Sequence, residues 1–364
     1  MRLALSGGGT AGHIYPCLAV ASALRQRLAQ RDEPLALLYL GVRGRLDEEI
    51  LAGESVEFRA VRASALRVRS PIRFGKGIGD LAIGAVQARG HLRRFRAQAV
   101  FATGGYVSAP VALAARSLRR PLLVYLPDVR PGWAVRMMAR LATRVAATTD
   151  ESLPYLPRGK AIVSGYPARP DFSQAAKEEG RRRFALDPGV KTLLVSGGSQ
   201  GAHALNQVVA DNLSTLLELC QIIHVSGTDD FDGLKRRSDI LSEPVRRRYH
   251  LHAYMPEMAL AMAAADLALM RSGASTLGEL PLAGLPAVLV PGPFSDQAAN
   301  ASYLAGRGAA TVLTQDRLVA EAVPLIKALL QDEARLSAMS QAMRSLARPD
   351  SADRIAAMLM EIAA

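Results

Sequence analysis

A glycine-rich turn between a strand and a helix occurs twice in this sequence, and this repeat limits the possible folds most. The stretch "LALSGGGTAGHI" (3–14) aligns without gaps with "LLVSGGSQGAHA" (193–204), so Ser6 matches Ser196 and His13 matches His203. Each copy follows an apolar run typical of a buried strand and precedes a helical pattern. The repeat predicts two similar doubly wound domains, each presenting a helix N-terminus to a ligand.

Apolar runs alternate with helical patterns along the whole chain. Strands are predicted at 2–6, 35–41, 98–102, 121–126 and 144–148, and again at 192–196, 221–225, 249–254, 266–270 and 286–290. This alternation is typical of βα units and parallel sheets, so the predicted fold class is α/β with two Rossmann-like domains. We expect one domain over 1–164 and a second over 165–349, with the join near "AIVSGYPARPDF" (161–172), where a further strand gives way to glycine and proline. An amphipathic helix at about 350–364 is expected to cross back onto the first domain.

The net charge limits the kinds of partner, and the cysteines limit the cellular compartment. The formal net charge of +12 favours a polyanion, an anionic membrane surface or a phosphorylated substrate. Two cysteines, Cys17 and Cys220, lie in separate predicted elements, which favours a reducing compartment. The first strand begins within a few residues of Met1, which leaves no room for a signal peptide. We therefore expect a cytosolic protein whose membrane contact, if any, is peripheral.

The glycine turns predict a phosphate ligand, because a helix N-terminus presents unpaired N–H groups and partial positive charge. A dinucleotide is one candidate, since Gly7, Gly9 and Gly12 match its fingerprint. However, the second strand ends in Gly41-Val42-Arg43, without the carboxylate that binds the ribose of NAD. Arg43 and Arg45 leave NADP open. Further glycine turns at 101–110 and 197–201 favour a site for two ligands, one of them a diphosphate.

A second candidate site lies in the stretch 265–301. A strand ends at Arg271, and the turn Ser272–Thr276 leads into a helix that carries Glu279. Small hydroxyls and the helix N-terminus could hold phosphate, and Glu279 could accept both hydroxyls of a ribose. The acidic motif Asp230-Phe231-Asp232 is interpreted as a solvated surface loop, and no metal site is predicted.

Five stretches carry a family resemblance: "GGGTAGHIYP", "TGGYVSAP", "SGGSQGAHALNQ", "YMPEM" and "RSGASTLGEL…AGLPAVLVP…Q…NA". In this order they resemble the MurG family, over Met1 to about Gln315. The resemblance implies a GT-B architecture with two domains facing a central cleft, and inverting transfer of N-acetylglucosamine from UDP-N-acetylglucosamine without cofactor or obligatory metal. The implied acceptor is undecaprenyl-pyrophosphoryl-N-acetylmuramoyl-pentapeptide, an intermediate of peptidoglycan synthesis.

The resemblance also implies roles for individual residues. Those implied at the donor are Thr10, Ala11, Gly12, Arg169, Ser199, Met255, Ala274, Ser275, Thr276, Glu279 and Gln297. Among these, Arg169 and Ser199 would meet the phosphate and sugar region, Met255 the uracil, and Gln297 the sugar hydroxyls. The acceptor side would include Gly104, Gly105, Tyr106 and Asp128.

An acceptor hydroxyl needs a base, and His13 at the end of the first glycine turn is the leading candidate. Alternatively, His13 orients the turn or binds the pyrophosphate of the acceptor. His203 stands where the family more often has arginine and is interpreted as a phosphate-side or neutral residue.

The chain departs from the family pattern near the expected site. Where the family has a His-Glu-Gln-Asn run, this sequence has Tyr125–Trp133, which places Val129 at the asparagine and leaves Asp128 as a substitute base or a cap. The family's Gly-Asn-Pro has become Gly165-Tyr166-Pro167, and Asp296 replaces a usual histidine or glutamine. Three alternatives therefore stay open: a related GT-B enzyme with another acceptor, a UDP-sugar epimerase, and a weakly active UDP-sugar-binding scaffold.

The segment 62–98 is strongly basic, with nine arginines and lysines and Asp80 as its single acid. Apolar residues such as Ile78 and Ile83 lie between the charges, a pattern that favours docking on an anionic leaflet at the cytoplasmic face of the membrane. A solvated helix face is the alternative. Nucleic acid is not favoured as a partner, because aromatic residues are scarce in this segment and it carries no known nucleic-acid motif.

Overall fold

The computed structural model describes residues 1–8, 11–44, 46–51, 53–64, 71–198, 201–292 and 297–364. The chain divides into two compact units. The first comprises Met1–Arg169 together with Pro349–Ala364, and the second comprises Pro170–Arg348. The boundary expected from the sequence, between residues 164 and 165, lies slightly before this division.

The first unit is built on one parallel sheet of seven strands in the order β3-β2-β1-β4-β5-β6-β7. Its strands are β1 (Arg2–Ser6), β2 (Ala36–Gly41), β3 (Glu57–Ala60), β4 (Ala99–Ala102), β5 (Leu122–Leu126), β6 (Arg144–Ala147) and β7 (Ala161–Val163). Its helices are α1 (Ala11–Ala29), α2 (Leu46–Leu51), α3 (Pro71–Phe95), α4 (Gly105–Ser117) and α5 (Trp133–Leu141), with a 3-10 turn at Asp150–Tyr155.

The second unit has a parallel sheet of six strands in the order β10-β9-β8-β11-β12-β13. The strands are β8 (Thr192–Ser196), β9 (Gln221–Val225), β10 (Tyr249–His252), β11 (Leu267–Met270), β12 (Ala287–Leu289) and β13 (Ala310–Val312). The helices are α6 (Asp171–Gln174), α7 (Lys177–Arg183), α8 (His203–Asp211), α9 (Leu213–Leu219), α10 (Thr228–Asp239), α11 (Glu243–Arg246), α12 (Met258–Ala264), α13 (Thr276–Ala283), α14 (Gln297–Ala305), α15 (Leu318–Gln331) and α16 (Glu333–Ser345).

The central strands are mostly apolar and almost wholly buried because helices cover both faces of each sheet. All five residues of β5 and of β8 are buried, for example. The two glycine turns occupy equivalent places in their sheets. Each turn follows the strand, β1 or β8, at which the strand order of its sheet reverses direction. In such sheets, ligands bind beyond the carboxyl ends of the strands at this switch point. The two predicted doubly wound domains are confirmed.

The predicted strands agree with the observed ones to within a few residues, and β3 and β13 were not predicted. Both are short outer strands with partly exposed residues. Neither therefore shows the continuous apolar run that marks a central strand.

The last helix, α17 (Ser351–Ala363), belongs to the first unit although the second unit precedes it along the chain. It packs on α1, β4 and β5. Ile355 and Leu359 are fully buried there, and the guanidinium of Arg27 forms a bidentate pair with the Asp353 carboxylate. This hydrogen bond from Arg27 lowers the pKa of Asp353.

Candidate active site

In the first unit, two glycine turns come together where β1 and β4 lie side by side. A Cβ atom at Gly7 would lie 1.9 Å from Thr103 Oγ1, and one at Gly105 would lie 2.5 Å from the carbonyl oxygen of Gly8. Only glycine fits either position. The turn that follows β1 and the turn that follows β4 therefore form one surface at the carboxyl edge of the sheet.

His13 lies in the first turn of α1 and is half-buried. Its Nδ1 is 2.9 Å from the carbonyl oxygen of Thr103, and the Thr103 hydroxyl donates to the carbonyl of His13 at 2.6 Å. Because a carbonyl oxygen only accepts, Nδ1 carries the proton of the neutral imidazole, and Nε2 carries the lone pair. This is the tautomer in which Nε2 can accept a proton from a substrate.

The other predicted residues of the first unit lie on the same edge. Gly104 and Gly105 have positive φ angles of 102° and 74°, and Tyr106 in α4 is half-buried against the core. Asp128 follows β5 and is half-buried, and its backbone carbonyl accepts a hydrogen bond from Ser152 Oγ at 3.5 Å. Arg169 lies with its guanidinium carbon 5.1 Å from the ring centroid of Tyr15, two residues beyond His13. Gly12 lies within α1, and Ala11 is its first residue.

In the second unit, the turn after β11 is fixed to the loop after β12 by side-chain hydrogen bonds. Ser272 Oγ donates to the carbonyl of Gln297 at 2.9 Å, and Asn300 Nδ2 donates to the carbonyl of Ser272 at 3.1 Å. The side-chain oxygen of Gln297 accepts from the backbone N–H of Gly292 at 2.7 Å. The amide oxygen of Gln297 therefore already supports the loop, and its NH₂ group is the part suited to a sugar hydroxyl.

Arg271, the residue after β11, also ties the end of β11 to the residues that follow β12. Its guanidinium donates to the carbonyls of Val290 and Pro291, both at 3.2 Å, and to Gln315 Oε1 at 3.0 Å. Burial lowers the pKa of Arg271. These contacts hold the ends of β11 and β12 in a fixed geometry.

The first turn of α13 carries the predicted diphosphate and ribose residues. Thr276 is only 2% exposed, and its hydroxyl donates to the carbonyl of Gly273 at 2.6 Å. The Thr276 hydroxyl therefore shapes the turn, whereas Ala274, Ser275 and Glu279 are partly exposed. Glu279 lies one turn beyond Ser275, whose carbonyl accepts its backbone N–H at 2.9 Å.

The interpretation of Asp230-Phe231-Asp232 as a solvated loop was wrong for Asp230. This residue lies in the first turn of α10 and accepts hydrogen bonds from His203 Nδ1 at 2.8 Å and Asn206 Nδ2 at 2.6 Å. Burial alone would raise the pKa of Asp230, but the hydrogen bonds from Asn206 and His203 outweigh it and lower the pKa. Asp230 therefore connects the helix after the second glycine turn to α10.

A buried chain of hydrogen bonds continues from Asn206 into the core. Asn206 Oδ1 lies 2.9 Å from His224 Nε2, and His224 Nδ1 lies 2.8 Å from the Tyr249 hydroxyl. Since Asn206 Oδ1 only accepts, His224 donates through Nε2 and accepts from Tyr249 through Nδ1. Complete burial lowers the pKa of His224 to about 3, so this imidazole stays neutral. Sequence reasoning missed this network and the contact of Thr103 with His13, because both join residues that are far apart in the sequence.

Two predicted residues, Thr10 and Ser199, lie outside the described residues. Met255 is buried between β10 and α12. Across the described ranges, no group of three or more histidine, cysteine, aspartate or glutamate side chains could hold a metal ion.

Both halves of the sequence match one glycosyltransferase family. Residues 3–147 match the Glycosyltransferase family 28 N-terminal domain, and residues 192–355 match the Glycosyltransferase family 28 C-terminal domain. A curated relative from Roseiflexus sp. (strain RS-1) is 39% identical over 99% of this chain and 94% of its own length. It is named UDP-N-acetylglucosamine–N-acetylmuramyl-(pentapeptide) pyrophosphoryl-undecaprenol N-acetylglucosamine transferase, the enzyme known as MurG. This chain belongs to the MurG family.

Two further comparisons agree with this membership. The MurG relative from Desulforudis audaxviator is 35% identical over 100% of this chain and 99% of its own length. The crystal structure of MurG from Acinetobacter baumannii is 23% identical and superposes with a TM-score of 0.76 over 99% of each chain, which shows the shared fold. The predicted GT-B architecture and glycosyltransferase activity are thereby confirmed.

Two tyrosines, at positions where the resemblance indicates departures from the MurG pattern, are in contact. Tyr125 and Tyr166 are both buried, and their rings meet edge to face with centroids 6.3 Å apart. Tyr125 also shares a hydrogen bond of 2.6 Å with the Thr148 hydroxyl, and burial raises its pKa. Val129, which the resemblance places at the asparagine of the family, is buried as well. The residues of this segment that solvent reaches are Asp128, Arg130, Gly132 and Trp133.

Proposed function

We propose that this chain transfers N-acetylglucosamine from UDP-N-acetylglucosamine to the muramoyl sugar of a polyprenyl-pyrophosphoryl muramoyl-pentapeptide. The observation that carries the proposal is the His13 tautomer, fixed by Thr103 at the carboxyl edge of the sheet where two glycine turns meet. Family membership supplies the substrate class, since the relatives are named for this transfer.

The proposed reaction is a single displacement with inversion at the anomeric carbon. His13 Nε2 accepts the proton of the acceptor hydroxyl. At the same time, the oxygen of that hydroxyl forms a bond to the anomeric carbon. The bond from that carbon to the β-phosphate oxygen breaks, and UDP leaves with the bonding electrons. A positioned base of this kind contributes about 10²–10⁴-fold to the rate.

We propose that backbone N–H groups and Arg169 stabilise the negative charge of the leaving UDP. The first turn of α13, with Ser275, offers partial positive charge to the diphosphate, and Glu279 accepts hydrogen bonds from the ribose hydroxyls. Preorganised donors of this type stabilise charge that develops in a transition state. The hydrogen bonds of Arg271, Ser272 and Gln297 support this assignment, because they fix the turn before any ligand binds.

The deciding experiment combines the purified protein with UDP-N-acetylglucosamine and a short-chain lipid acceptor, and follows UDP release together with product mass. We expect UDP only when acceptor is present, and a product heavier by one N-acetylhexosamine. Free sugar product without acceptor would indicate an epimerase. Binding of UDP without turnover on any muramoyl acceptor would indicate a scaffold.

We further propose that α3 docks the protein on the cytoplasmic face of an anionic membrane. Among the described residues, no helix is both long and apolar enough to span a bilayer. In α3, Gly84, Ala88 and Leu92 face the core. Since an α-helix has about 3.6 residues per turn, Ile83 and Val86 lie on the opposite face and Ile78 lies at its margin, and all three are exposed. Lys76, Arg89, Arg93 and Arg94 are exposed beside them.

Sedimentation with vesicles tests this membrane proposal. We expect binding to vesicles that contain anionic lipid, weakening with salt, and little binding to neutral vesicles. Because each basic residue near such a surface contributes about 1 kcal/mol, Arg93→Gln with Arg94→Gln should lower the partition coefficient about tenfold or more. Val86→Asp should also weaken binding. Ile240→Asp, at an exposed position of the second unit, is the matched control. Equal binding to neutral vesicles would contradict the electrostatic part.

A further inference from the structure

We infer that Trp133 binds the acceptor sugar through the face of its indole ring, an inference that rests on the proposed function. Trp133 is the only tryptophan of the chain, and 64% of it is exposed. It is the first residue of α5 and follows the carboxyl end of β5 directly after the segment 127–132. A large aromatic side chain left open at the ligand edge of a parallel sheet is available to a ligand.

The first turn of α5 is a neighbour of His13. A Cβ atom placed on Gly104 would lie 3.4 Å from Val135 Cγ2 and 3.2 Å from His13 Cε1, so both side chains flank the same glycine. Val135 is buried and Trp133 is exposed, on opposite sides of the turn. Because Cα–Cβ bonds of a helix tilt toward its N-terminus, Trp133 leans beyond the edge of the sheet. A sugar whose hydroxyl meets His13 therefore lies beside the turn that carries Trp133.

The chemistry around Trp133 suits the acceptor. Carbohydrate rings present a face of C–H groups that packs on an aromatic face, and an indole offers the largest such surface among side chains. Arg130 and Arg136 are exposed in the same segment. Arg136 Nε donates to the carbonyl of Pro131 at 3.0 Å, and the guanidinium carbon of Arg130 lies 5.8 Å from the ring centroid of Tyr155. These positive charges complement an acceptor that carries a pyrophosphoryl group.

The single tryptophan makes binding directly observable. We expect the emission of Trp133 to change when a water-soluble short-chain acceptor is added without vesicles, and to saturate with acceptor concentration. UDP-N-acetylglucosamine alone should leave the emission nearly unchanged. A response to donor alone, or to anionic vesicles without acceptor, would overturn the inference by assigning Trp133 to the donor or to the membrane.

Kinetics with variants provide the second readout. Trp133→Ala should raise the KM for the acceptor about tenfold, the loss expected for about 1.4 kcal/mol of stacking, with kcat and the KM for the donor within about twofold. Trp133→Phe keeps an aromatic ring and should restore most of the affinity. Ile240→Ala removes another exposed apolar side chain, from the second unit, and should change neither constant.

The outcomes separate this inference from the proposed function. If the wild-type protein transfers no sugar to the muramoyl acceptor, the proposed function fails. If transfer occurs and Trp133→Ala, with an unchanged circular dichroism spectrum, keeps the wild-type KM for the acceptor, only the role of Trp133 is refuted.

Discussion

His13, the proposed base, is oriented by two contacts with Thr103. The carbonyl of Thr103 holds the proton on Nδ1, and the Thr103 hydroxyl fixes the backbone of His13 in turn. The position of Thr103 follows from strand pairing, since its N–H donates to the carbonyl of Ser6 at 2.9 Å. The orientation of the base is therefore set by the sheet itself.

Replacing His13 should separate catalysis from binding. In His13→Gln we expect kcat to fall by about 10²–10⁴-fold, because no group accepts the acceptor proton, while the Kd for UDP stays within about twofold. Steady-state kinetics with a soluble acceptor and calorimetry with UDP measure both. His91→Gln, another half-buried histidine of the first unit, is the matched control and should retain the wild-type kcat. A His13→Gln enzyme with near-normal turnover would refute the assignment of the base.

The proposed hydrogen bonds between Glu279 and the two ribose hydroxyls can be tested with a modified nucleotide. Wild-type protein should bind 2′-deoxy-UDP more weakly than UDP, and Glu279→Gln should bind UDP about tenfold more weakly, since a hydrogen bond to a charged group is lost. In the variant, the two nucleotides should bind almost equally. Glu321→Gln, an exposed glutamate in α15, should behave as wild type. If the variant still discriminates fully between the nucleotides, the ribose contact lies elsewhere.

At the scale of elements, buried hydrogen bonds join α8, α10, β9 and β10 at the carboxyl edge of the second sheet. Hydrogen bonds run from Asp230 through Asn206 and His224 to Tyr249. In each of them the donor and the acceptor are defined. Networks in which every group has a partner favour one packing over alternatives. These hydrogen bonds fix α8, the helix that follows the glycine turn, to the core of the second unit.

The titration of His224 predicts how stability depends on pH. The imidazole stays neutral in the folded protein down to about pH 3, whereas an unfolded histidine takes up a proton near pH 6.5. The unfolded state therefore binds more protons between these values, and stability falls as pH is lowered through this window. Burial lowers the pKa of His250 and His252 as well, with the same sign.

Urea unfolding followed by circular dichroism between pH 7 and pH 4.5 measures this slope. His224→Gln should lose about 1 kcal/mol less per pH unit than wild type, whatever its stability at neutral pH. Identical slopes for wild type and His224→Gln would contradict a neutral buried imidazole.

The sequence predicted the central strands and the glycine turns because both depend on local patterns. Runs of five apolar residues mark strands covered on both faces, and glycine at positions 7 and 105 is required by contacts within one switch point. Asp230 was misjudged for a different reason. Its hydrogen bonds come from side chains of another element, His203 and Asn206 in α8, that no local pattern reveals. Roles assigned through the family, as for Arg169 and Met255, stay predictions.

At the scale of the whole molecule, the first unit is assembled from both ends of the chain. Leu359 in α17 is fully buried against the first unit. Leu359→Ala should therefore destabilise this unit by about 2–5 kcal/mol, and proteolysis should cut first within residues 1–169. Val319→Ala, at an exposed position of α15, is the control and should be neutral. Preferential cleavage within 170–348 would contradict this division.

The late position of α17 has a consequence for synthesis. The ribosome completes every strand of the first sheet long before it makes residues 351–363, so α1, β4 and β5 emerge with an apolar surface still uncovered. The second unit, contiguous in the chain, is complete earlier than the first. A nascent chain that stops short of α17 would expose that surface to chaperones and proteases, so synthesis through residue 363 is a condition for a stably folded first unit.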